Sequence, residues 1–443
     1  MRSILVLGAG RSSSALIDYL LEQAGINDWE IVVGDVSMAA ARERVGNSSK
    51  GRALAFNIHD ESSSAIIRAS DLVISVLPAV LHPMVARKCL VLERHLLTAS
   101  YVSAEMKTLD EEARKAGLLF LNECGLDPGI DHMSAMQVLD RIKSGGGEVV
   151  SFESFTGGLI APETDPENPW RYKFTWSPRN VVTAGQSTAK YLQEGQYKYI
   201  PYQQLFRRIT HVEVPGHGSY EGYANRDSLT YRLAYGLENI RTMLRGTLRN
   251  KGFCAAWDVL VQLGCTEESY KMESVSGMTH RSFLNSFLDH HVKQTVEGKI
   301  VQRFGLEMDG PEMQRLKWSE LFDATPVGLQ EGSPAQVLEH ILNKRWKLNP
   351  EDKDFIVMWH RFGFLQGGRK REIQATLVAK GENSVDTAMA KTVGLPLAIA
   401  ARLLLTNRIK TRGVVIPTGR EFYEPILQEL KELGMGLEER EVN

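Results

Sequence analysis

Cysteine is scarce in this sequence, and its spacing fits neither a disulfide framework nor a zinc site. The 443 residues include four cysteines, and no two of them form a CxxC pair. Disulfide frameworks belong to oxidising compartments, and thiolate zinc sites need closely spaced cysteines. We therefore expect a reduced, cytoplasmic protein without a metal site. The four cysteines are Cys89, Cys124, Cys254 and Cys265.

Positive charge is not in excess either. The sequence has 52 lysines and arginines against 54 aspartates and glutamates, for a formal net charge of -2. Nucleic-acid-binding domains usually carry a basic patch, so this balance argues against that class. We also find no internal repeat and no apolar run long enough to cross a membrane. What remains is a globular chain long enough for two or three domains.

Strand and helix patterns alternate through roughly the first 125 residues. Short apolar runs such as SILVLG, EIVVGD and DLVISVLP are typical of buried strands, and amphipathic segments such as SSALIDYLLEQAG separate them. This alternation predicts an α/β fold with a Rossmann-type, doubly wound parallel sheet. The pattern changes near residues 145–147, after which strand signals are followed, from about residue 228, by mainly helical ones.

The turn between the first strand and the first helix has the sequence GAGRSS. Gly8 and Gly10 occupy the first two positions of the dinucleotide fingerprint, and Ser13 stands where a third glycine is common. Glycines let the backbone approach a pyrophosphate, whose charge is met by amides at a helix N-terminus. Arg11 and Ser12 belong to the same predicted site. The alternative is a glycine turn that binds nothing, but the position after a chain-opening strand favours a nucleotide site.

The cofactor is expected to be NAD in preference to NADP. Asp35 ends the second strand, 25 residues after Gly10. A carboxylate there accepts hydrogen bonds from ribose hydroxyls and would repel a 2′-phosphate. Arg42 and Arg44 lie downstream, and their positive charge keeps NADP as the alternative cofactor. Both fall within the predicted second helix.

Other strand ends should face the same ligand, because ligands of open parallel sheets gather beyond the carboxyl ends of the strands. The segment SVLP ends the fourth strand, and TASY ends the fifth. Tyr101 should therefore lie near the nicotinamide. The further predicted cofactor contacts are Asn57, Ser75, Leu77, Pro78 and Ser100.

The stretch CGLDPGIDHM follows the sixth strand at the same edge of the predicted sheet. Pro128 and Gly129 predict a tight turn of type II, with glycine at the position of positive φ. Asp131 is expected to cap the next helix, and His132 is expected to be structural. Asp127 is then the carboxylate with a reason to face the site.

Arginines downstream are candidate anchors for a carboxylate substrate, because a guanidinium binds a carboxylate through two parallel hydrogen bonds. Arg226 is either such an anchor or half of a surface salt bridge with Asp227. Arg241, Arg245 and Arg249 recur at every fourth position, which also fits a solvated helix face.

Six motifs, in this order, resemble the L-glutamate-forming saccharopine dehydrogenases (saccharopine reductases), including the dehydrogenase half of bifunctional lysine-degrading enzymes. They are TASYVS, GLDPGIDHM, YKFTWSPR, NRDSLTY, RGTLRNKGF and TAMAKTVGLP…RIKTRGV. The resemblance implies a reaction of lysine metabolism. Saccharopine, NAD(P)+ and water interconvert with L-glutamate, 2-aminoadipate 6-semialdehyde and NAD(P)H.

The resemblance also implies the residues of the site. Asp127 would hold the substrate amine or orient water, and Tyr101 would assist proton transfer, which makes these two the catalytic candidates. Many relatives have a cysteine where this chain has Thr156, so a cysteine proposed to assist the reaction is absent here. The implied substrate contacts are Ser100, Tyr101, Asp127, Phe174, Arg226, Gly246, Thr247 and Leu248.

The domain plan follows from the same resemblance. A Rossmann domain of residues 1–125 would be completed by about 385–443. A mixed α/β domain of 126–227 and about 350–384 would form a homodimer, and a mainly helical domain of about 228–349 would close over the cleft.

Two other functions stay open at the level of the sequence. One is a carbon–nitrogen reductase of the carboxynorspermidine dehydrogenase type, which would handle a polyamine on the same scaffold. The other is a Rossmann protein that senses a nucleotide without catalysis. A panel of substrates separates the first from saccharopine oxidation, and binding of cofactor without turnover would identify the second.

Overall fold

The computed structural model describes residues 1–184, 186–290 and 293–442. The chain divides into two compact units. Unit 1 consists of Met1–Glu148, Gln366–Gly368 and Leu377–Glu439. Unit 2 consists of Val149–Leu365, Arg369–Thr376 and Arg440–Asn443. The residues of the predicted helical domain belong to unit 2, and the division into three domains stays a prediction.

The described residues form strands that belong to two sheets. In chain order the strands are β1 (Arg2–Leu7), β2 (Trp29–Asp35), β3 (Gly51–Ala55), β4 (Leu72–Ser75), β5 (His95–Thr98), β6 (Leu119–Leu121), β7 (Glu148–Ile160), β8 (Ala189–Gln193), β9 (Gln196–Ile200), β10 (Ile209–Val214), β11 (Gly218–Ala224), β12 (Thr242–Asn250), β13 (Asp354–Gln366), β14 (Arg369–Lys380), β15 (Gly413–Val415) and β16 (Glu438–Val442).

Helices connect and cover these strands. In chain order the α-helices are α1 (Ser14–Asn27), α2 (Met38–Val45), α3 (Ser63–Arg68), α4 (His82–Val91), α5 (Ala104–Lys107), α6 (Asp110–Lys115), α7 (Ile130–Ser144), α8 (Pro178–Val182), α9 (Phe253–Leu263), α10 (His280–Asn285), α11 (Val296–Phe304), α12 (Pro311–Trp318), α13 (Pro334–Trp346), α14 (Ala388–Leu405) and α15 (Arg420–Glu432).

Unit 1 is built on a seven-stranded sheet in the order β15-β6-β5-β4-β1-β2-β3. All of its pairings are parallel. Strand β1 shows why, because Ile4–Leu7 is a continuous apolar run that is buried on both faces, as parallel sheets covered by helices require. The predicted Rossmann-type sheet is confirmed, and its outer strand β15 comes from the C-terminal part of the chain.

Helix α14 lies in the core of unit 1 against α1. A Cβ on Gly394 would lie 2.8 Å from the backbone nitrogen of Leu16, so the two helices approach as closely as glycine allows. The helix continues through Pro396. By length and composition α14 could cross a membrane, contrary to the sequence expectation, although 83% of it is buried, as in a core helix.

Unit 2 contains a mixed sheet in the order β10-β11-β12-β7-β13-β14-β16, and β8 adds to it through β12. Strand β12 runs parallel to β7 and antiparallel to β11. One alternative from the sequence placed Arg245 and Arg249 on a solvated helix face. That alternative is wrong. Both belong to β12 and both are buried.

Candidate functional site

The glycine turn of unit 1 has the shape that a pyrophosphate needs. Gly8 has a φ of 107°, and a Cβ at this position would lie 3.1 Å from Val76. Gly10 faces open space among the described residues. A short 3₁₀ turn, Arg11–Ser13, follows and leads into α1, and the Ser13 hydroxyl donates to the carbonyl of Gly10 at 2.8 Å. The backbone of the turn is therefore open on the side where a ligand would lie.

Asp35 holds this turn through its carboxylate. Oδ2 accepts a hydrogen bond from the Ala9 amide at 2.8 Å, and Oδ1 accepts one from the Ser37 amide at 2.8 Å. A carboxylate oxygen accepts more than one hydrogen bond, so both oxygens retain capacity for ribose hydroxyls. Val36 and Val80 follow the ends of β2 and β4 and are 78% and 81% exposed. Val36 follows Asp35, which contacts the turn, and provides apolar surface there that an adenosine could cover.

The other predicted cofactor contacts follow the strand ends as expected, but their side chains differ in exposure. Asn57 is exposed, and its Oδ1 accepts from the His59 amide at 3.1 Å. Leu77 is half-buried and Pro78 is exposed. Ser75 is fully buried, and its hydroxyl lies against a histidine rather than on the surface.

That histidine, His82, was missed by the sequence analysis. Its Nδ1 lies 3.0 Å from Oγ of Ser75, and its Nε2 lies 2.9 Å from Oγ of Ser100 and 3.2 Å from Oγ1 of Thr98. Burial lowers the pKa of His82 to about 4. The imidazole is therefore neutral at pH 7. No sequence signal marks it, because its partners are brought together by the parallel strands.

The CGLDPGIDHM stretch forms a rigid corner after β6. In the described residues 124–133, every residue except Asp127 is buried. Gly129 has a φ of 147°, and a Cβ there would lie 2.1 Å from the carbonyl oxygen of Gly125. The positive φ of Gly129 was predicted, but its φ of 147° and ψ of -86° differ from the roughly +80° and 0° of a type II turn, so that turn type is wrong. The Asp127–Pro128 peptide is cis. The corner leaves Asp127 as its half-buried carboxylate.

Asp131 and His132 support this corner from inside. Helix α7 begins at Ile130 with Gly129 as its N-cap residue, so the capping role expected for Asp131 is wrong. The Asp131 carboxylate instead accepts from the Gly129 amide at 2.6 Å. His132 is fully buried, and its Nε2 lies 2.9 Å from Oε2 of Glu123.

Glu123 joins the corner to the loop that carries Tyr101. Its Oε1 accepts from the Val102 amide at 2.9 Å, and its own amide donates to the Ser100 carbonyl at 3.1 Å. Tyr101 is thus held by the residues before and after it. Its hydroxyl donates to Oδ1 of Asp127 at 3.4 Å. The structure therefore places Ser100, Tyr101 and Asp127 in one cluster beyond β5 and β6.

Unit 2 contains the remaining predicted substrate contacts. Arg226 is exposed and has a φ of 49°, and its carbonyl accepts from the Lys190 amide at 2.8 Å. The neighbouring Asp227 forms a salt bridge of 3.1 Å with Lys190. Phe174 is fully buried, with its ring 5.2 Å from that of Trp346. The backbone amide of Phe174 also donates to the Trp346 carbonyl at 2.6 Å.

The segment of residues 246–248 lies in the middle of β12. Gly246 is required by packing, since a Cβ there would lie 2.3 Å from the Phe155 ring. Thr247 is half-buried and pairs in register with Thr156 of β7, whose buried hydroxyl has no hydrogen-bond partner among the described residues. Leu248 is fully buried. The roles of these residues toward a substrate stay predictions.

Two arginines of β12 flank Thr247 on the same face of the strand. The Arg245 guanidinium lies 4.6 Å from the centre of the Tyr231 ring. The Arg249 guanidinium lies 5.0 Å from the Tyr172 ring and 5.2 Å from the Phe253 ring. Contacts of this kind stabilise a buried cation. Arg249 is therefore held by aromatic packing inside unit 2.

Metal-ligating groups do not cluster within the described ranges, where no group of three or more His, Cys, Asp or Glu side chains could hold a metal ion. All four cysteines are buried and free. Burial raises the pKa of the thiol of Cys124, the first residue of the corner. A protonated, buried thiol is a poor nucleophile.

Two family models match this chain and together cover most of it. The saccharopine dehydrogenase NADP binding domain matches residues 4–121, and the saccharopine dehydrogenase C-terminal domain matches residues 125–435.

Two of the relatives that match this chain align with nearly all of it. Saccharopine dehydrogenase [NADP(+), L-glutamate-forming] of Saccharomyces cerevisiae is 30% identical over 100% of this chain and 99% of its own length. The mitochondrial alpha-aminoadipic semialdehyde synthase of Bos taurus is 33% identical over 98% of this chain. The chain spans 47% of that longer protein.

The fold agrees with the sequence comparison. The apo structure of histidine-tagged saccharopine dehydrogenase (L-Glu forming) from Saccharomyces cerevisiae superimposes with a TM-score of 0.89 at 29% identity, covering 100% of both chains. The similarity therefore extends over both units.

Proposed function

The chain belongs to the saccharopine dehydrogenase family, and we propose that it interconverts saccharopine, NAD(P)+ and water with L-glutamate, 2-aminoadipate 6-semialdehyde and NAD(P)H. One observation carries the proposal. Asp127 is a half-buried carboxylate, in contact with Tyr101, beyond the carboxyl ends of the strands of a sheet that begins with a dinucleotide turn. Ligands of such sheets bind at that edge.

The cofactor is a nicotinamide dinucleotide, and the residues of the glycine turn fit it. Gly8 leaves space that a Cβ would fill, and Asp35 fixes the Ala9 amide beside it. When bound, the nicotinamide accepts the hydride. We propose that NAD is preferred over NADP, because the Asp35 carboxylate would repel a 2′-phosphate. The fungal relative is named for NADP(+), so this is a proposed difference from it.

The chain's own residues would manage the protons. Saccharopine is a secondary amine, and its nitrogen must be neutral before the carbon beside it can lose a hydride. Water then adds to the resulting imine carbon, and the carbinolamine breaks its carbon–nitrogen bond to give aldehyde and the amine of glutamate. In this scheme Asp127 accepts the proton of the attacking water. Tyr101, within hydrogen-bond reach of Asp127, shuttles a proton to the departing nitrogen.

The substrate carries three carboxylates, so the site needs cations. Arg226 is exposed in unit 2, so its guanidinium is accessible to a substrate without first leaving a buried position. We assign it to a substrate carboxylate, where the planar guanidinium can donate two parallel hydrogen bonds. Phe174, Gly246, Thr247 and Leu248 would shape that part of the site through their packing.

We further propose that the protein is a cytoplasmic homodimer. The dimer rests on the resemblance to the family. The reducing compartment is supported by the four free, buried cysteines among the described residues. Sedimentation equilibrium of the purified chain tests the dimer, and a monomer at micromolar concentration would contradict it.

A direct assay tests the function. Purified protein is incubated with saccharopine and either NAD+ or NADP+, and both reduced nicotinamide and glutamate are measured. The proposal expects both products, with a higher rate from NAD+. No reduced nicotinamide with either cofactor would overturn it, and cofactor binding without turnover would instead favour nucleotide sensing.

A further inference from the structure

His82 is the first residue of α4, and its ring bridges the ends of two neighbouring strands. Ser75 ends β4 and Thr98 ends β5, and these two residues are register partners in the sheet. The imidazole lies between them and is 3% exposed. Nδ1 faces Ser75, whereas Nε2 faces Thr98 and, at 2.9 Å, Ser100. The histidine thus connects the interior of the sheet to a residue of the candidate site.

A neutral imidazole has one N–H donor and one acceptor nitrogen. Ser75 and Ser100 lie on opposite nitrogens of His82, so the ring cannot donate to both of them or accept from both. If Nδ1 donates to Ser75, Nε2 accepts from the hydroxyls on its side, and the reverse tautomer donates there. In either tautomer the Ser100 hydroxyl has one role toward His82, as donor or as acceptor, and its oxygen is held beside Nε2.

The main chain of Ser100 is held separately from its side chain. The Ser100 amide donates to Oγ1 of Thr98 at 3.3 Å, and its carbonyl accepts from the Glu123 amide at 3.1 Å. Rotation of the hydroxymethyl group is the freedom that remains. The contact with Nε2 of His82 removes that freedom.

We propose that His82 is a positioning residue that aims the Ser100 hydroxyl at the substrate or nicotinamide during saccharopine turnover. The inference rests on the proposed function, because it needs Ser100 to contact the reacting groups. It goes beyond that function because it assigns a task to a buried residue that touches neither ligand. His82 acts through Ser100 alone, so removing Ser100 should make His82 dispensable for catalysis.

Two substitutions separate positioning from simple support of the fold. The amide of Gln reaches about as far as Nε2 and can replace the contact with Ser100, whereas the amide of Asn reaches about as far as Nδ1 and can replace the contact with Ser75. We expect H82N to lower kcat roughly tenfold or more, as the loss of one aimed hydrogen bond would. We expect H82Q to retain kcat within about threefold of wild type.

The controls measure folding and cofactor binding. Thermal unfolding midpoints and the Kd for NADH are determined for both variants, since each variant loses one buried contact. If His82 only supports the fold, kcat should follow the unfolding midpoint. Equal kcat values for H82N and H82Q would overturn the inference.

A double-mutant cycle gives the sharper test. If His82 acts through Ser100, H82N in the S100A background should cause no further loss of kcat, so the two effects are not additive. Additive losses, with the wild type turning over saccharopine, would overturn the positioning role while leaving the proposed function intact. A wild type without saccharopine-dependent reduction would overturn the function and, with it, this inference.

Discussion

The Tyr101 hydroxyl donates to Oδ1 of Asp127 across 3.4 Å, although the two residues belong to separate loops after β5 and β6. The distance is longer than the roughly 2.5–3.0 Å of a typical O–H···O hydrogen bond, and long contacts in free active sites often shorten when substrate binds. The two loops are joined by Glu123, which bonds to the main chain on both sides of Tyr101. The pair is therefore held in place without depending on its own hydrogen bond.

Replacing the Asp127 carboxylate should affect the chemical step. D127N keeps the side-chain shape but removes the negative charge that accepts a proton. We expect kcat to fall by about 10² to 10⁴, the usual contribution of a general base, with the Kd for NADH little changed. D309N is a matched control, because the Asp309 side chain is 90% exposed in unit 2. Normal kcat in D127N would remove Asp127 from the mechanism.

Loss of the Arg226 guanidinium should mainly weaken substrate binding. Hydrogen bonds between charged groups are worth about 1.5–3 kcal/mol, so R226A should raise the KM for saccharopine roughly 10- to 100-fold. We expect kcat to change much less. Steady-state kinetics at varied saccharopine checks this, with R241A, at another exposed arginine of unit 2, as the control. An unchanged KM in R226A would withdraw the anchor assignment.

The preference for NAD should depend on the charge of Asp35. D35N keeps an oxygen that can accept from the Ala9 amide but no longer repels a 2′-phosphate. We expect the ratio of kcat/KM for NADP+ to that for NAD+ to rise by roughly tenfold or more. Both cofactors are compared at saturating saccharopine. A ratio equal to that of the wild type would show that Asp35 does not set the preference.

Burial of His82 should make the stability of the protein depend on pH. In the native state its pKa is lowered to about 4, whereas an unfolded histidine titrates near about 6.5. Between these values the unfolded chain binds more protons, so the free energy of unfolding decreases as the pH falls through this window. The contribution is constant above the window and is at most about 3 kcal/mol.

Denaturant unfolding across that pH window measures the effect. H82Q should show a weaker loss of stability toward acid than the wild type. Burial, with Arg412 and Arg94 nearby, also lowers the pKa of His95 to about 4, so H82Q should retain part of the acid sensitivity. Identical pH profiles for H82Q and the wild type would contradict the assignment of a buried, neutral His82.

The parallel sheet could be predicted because its strands have recognisable local sequence patterns. Strand β1 is an apolar run buried on both faces and followed at once by a glycine turn, a pattern specific to the first βα unit. Strand β12 could not be assigned in the same way. A spacing of four residues keeps Arg245 and Arg249 on one face of a strand, and it nearly does so on a helix, so periodicity does not distinguish the two.

Part of the candidate site could also be predicted from local sequence patterns. Asp127 and Tyr101 could be placed because each follows a predicted strand end. His82 could not, since its contacts with Ser75 and Ser100 arise from the order of strands in the sheet and from the packing of α4. Asp131 shows the limit at a single residue, because its carboxylate accepts from the Gly129 amide and α7 begins at Ile130, two residues before the start that an N-cap at Asp131 predicts.

The most direct test compares saccharopine with carboxynorspermidine under the same cofactor, counting glutamate released for each reduced nicotinamide formed. The account predicts equal amounts of the two products from saccharopine and a much lower kcat/KM for the polyamine. Turnover of carboxynorspermidine in preference to saccharopine, or reduced nicotinamide without glutamate, would contradict it.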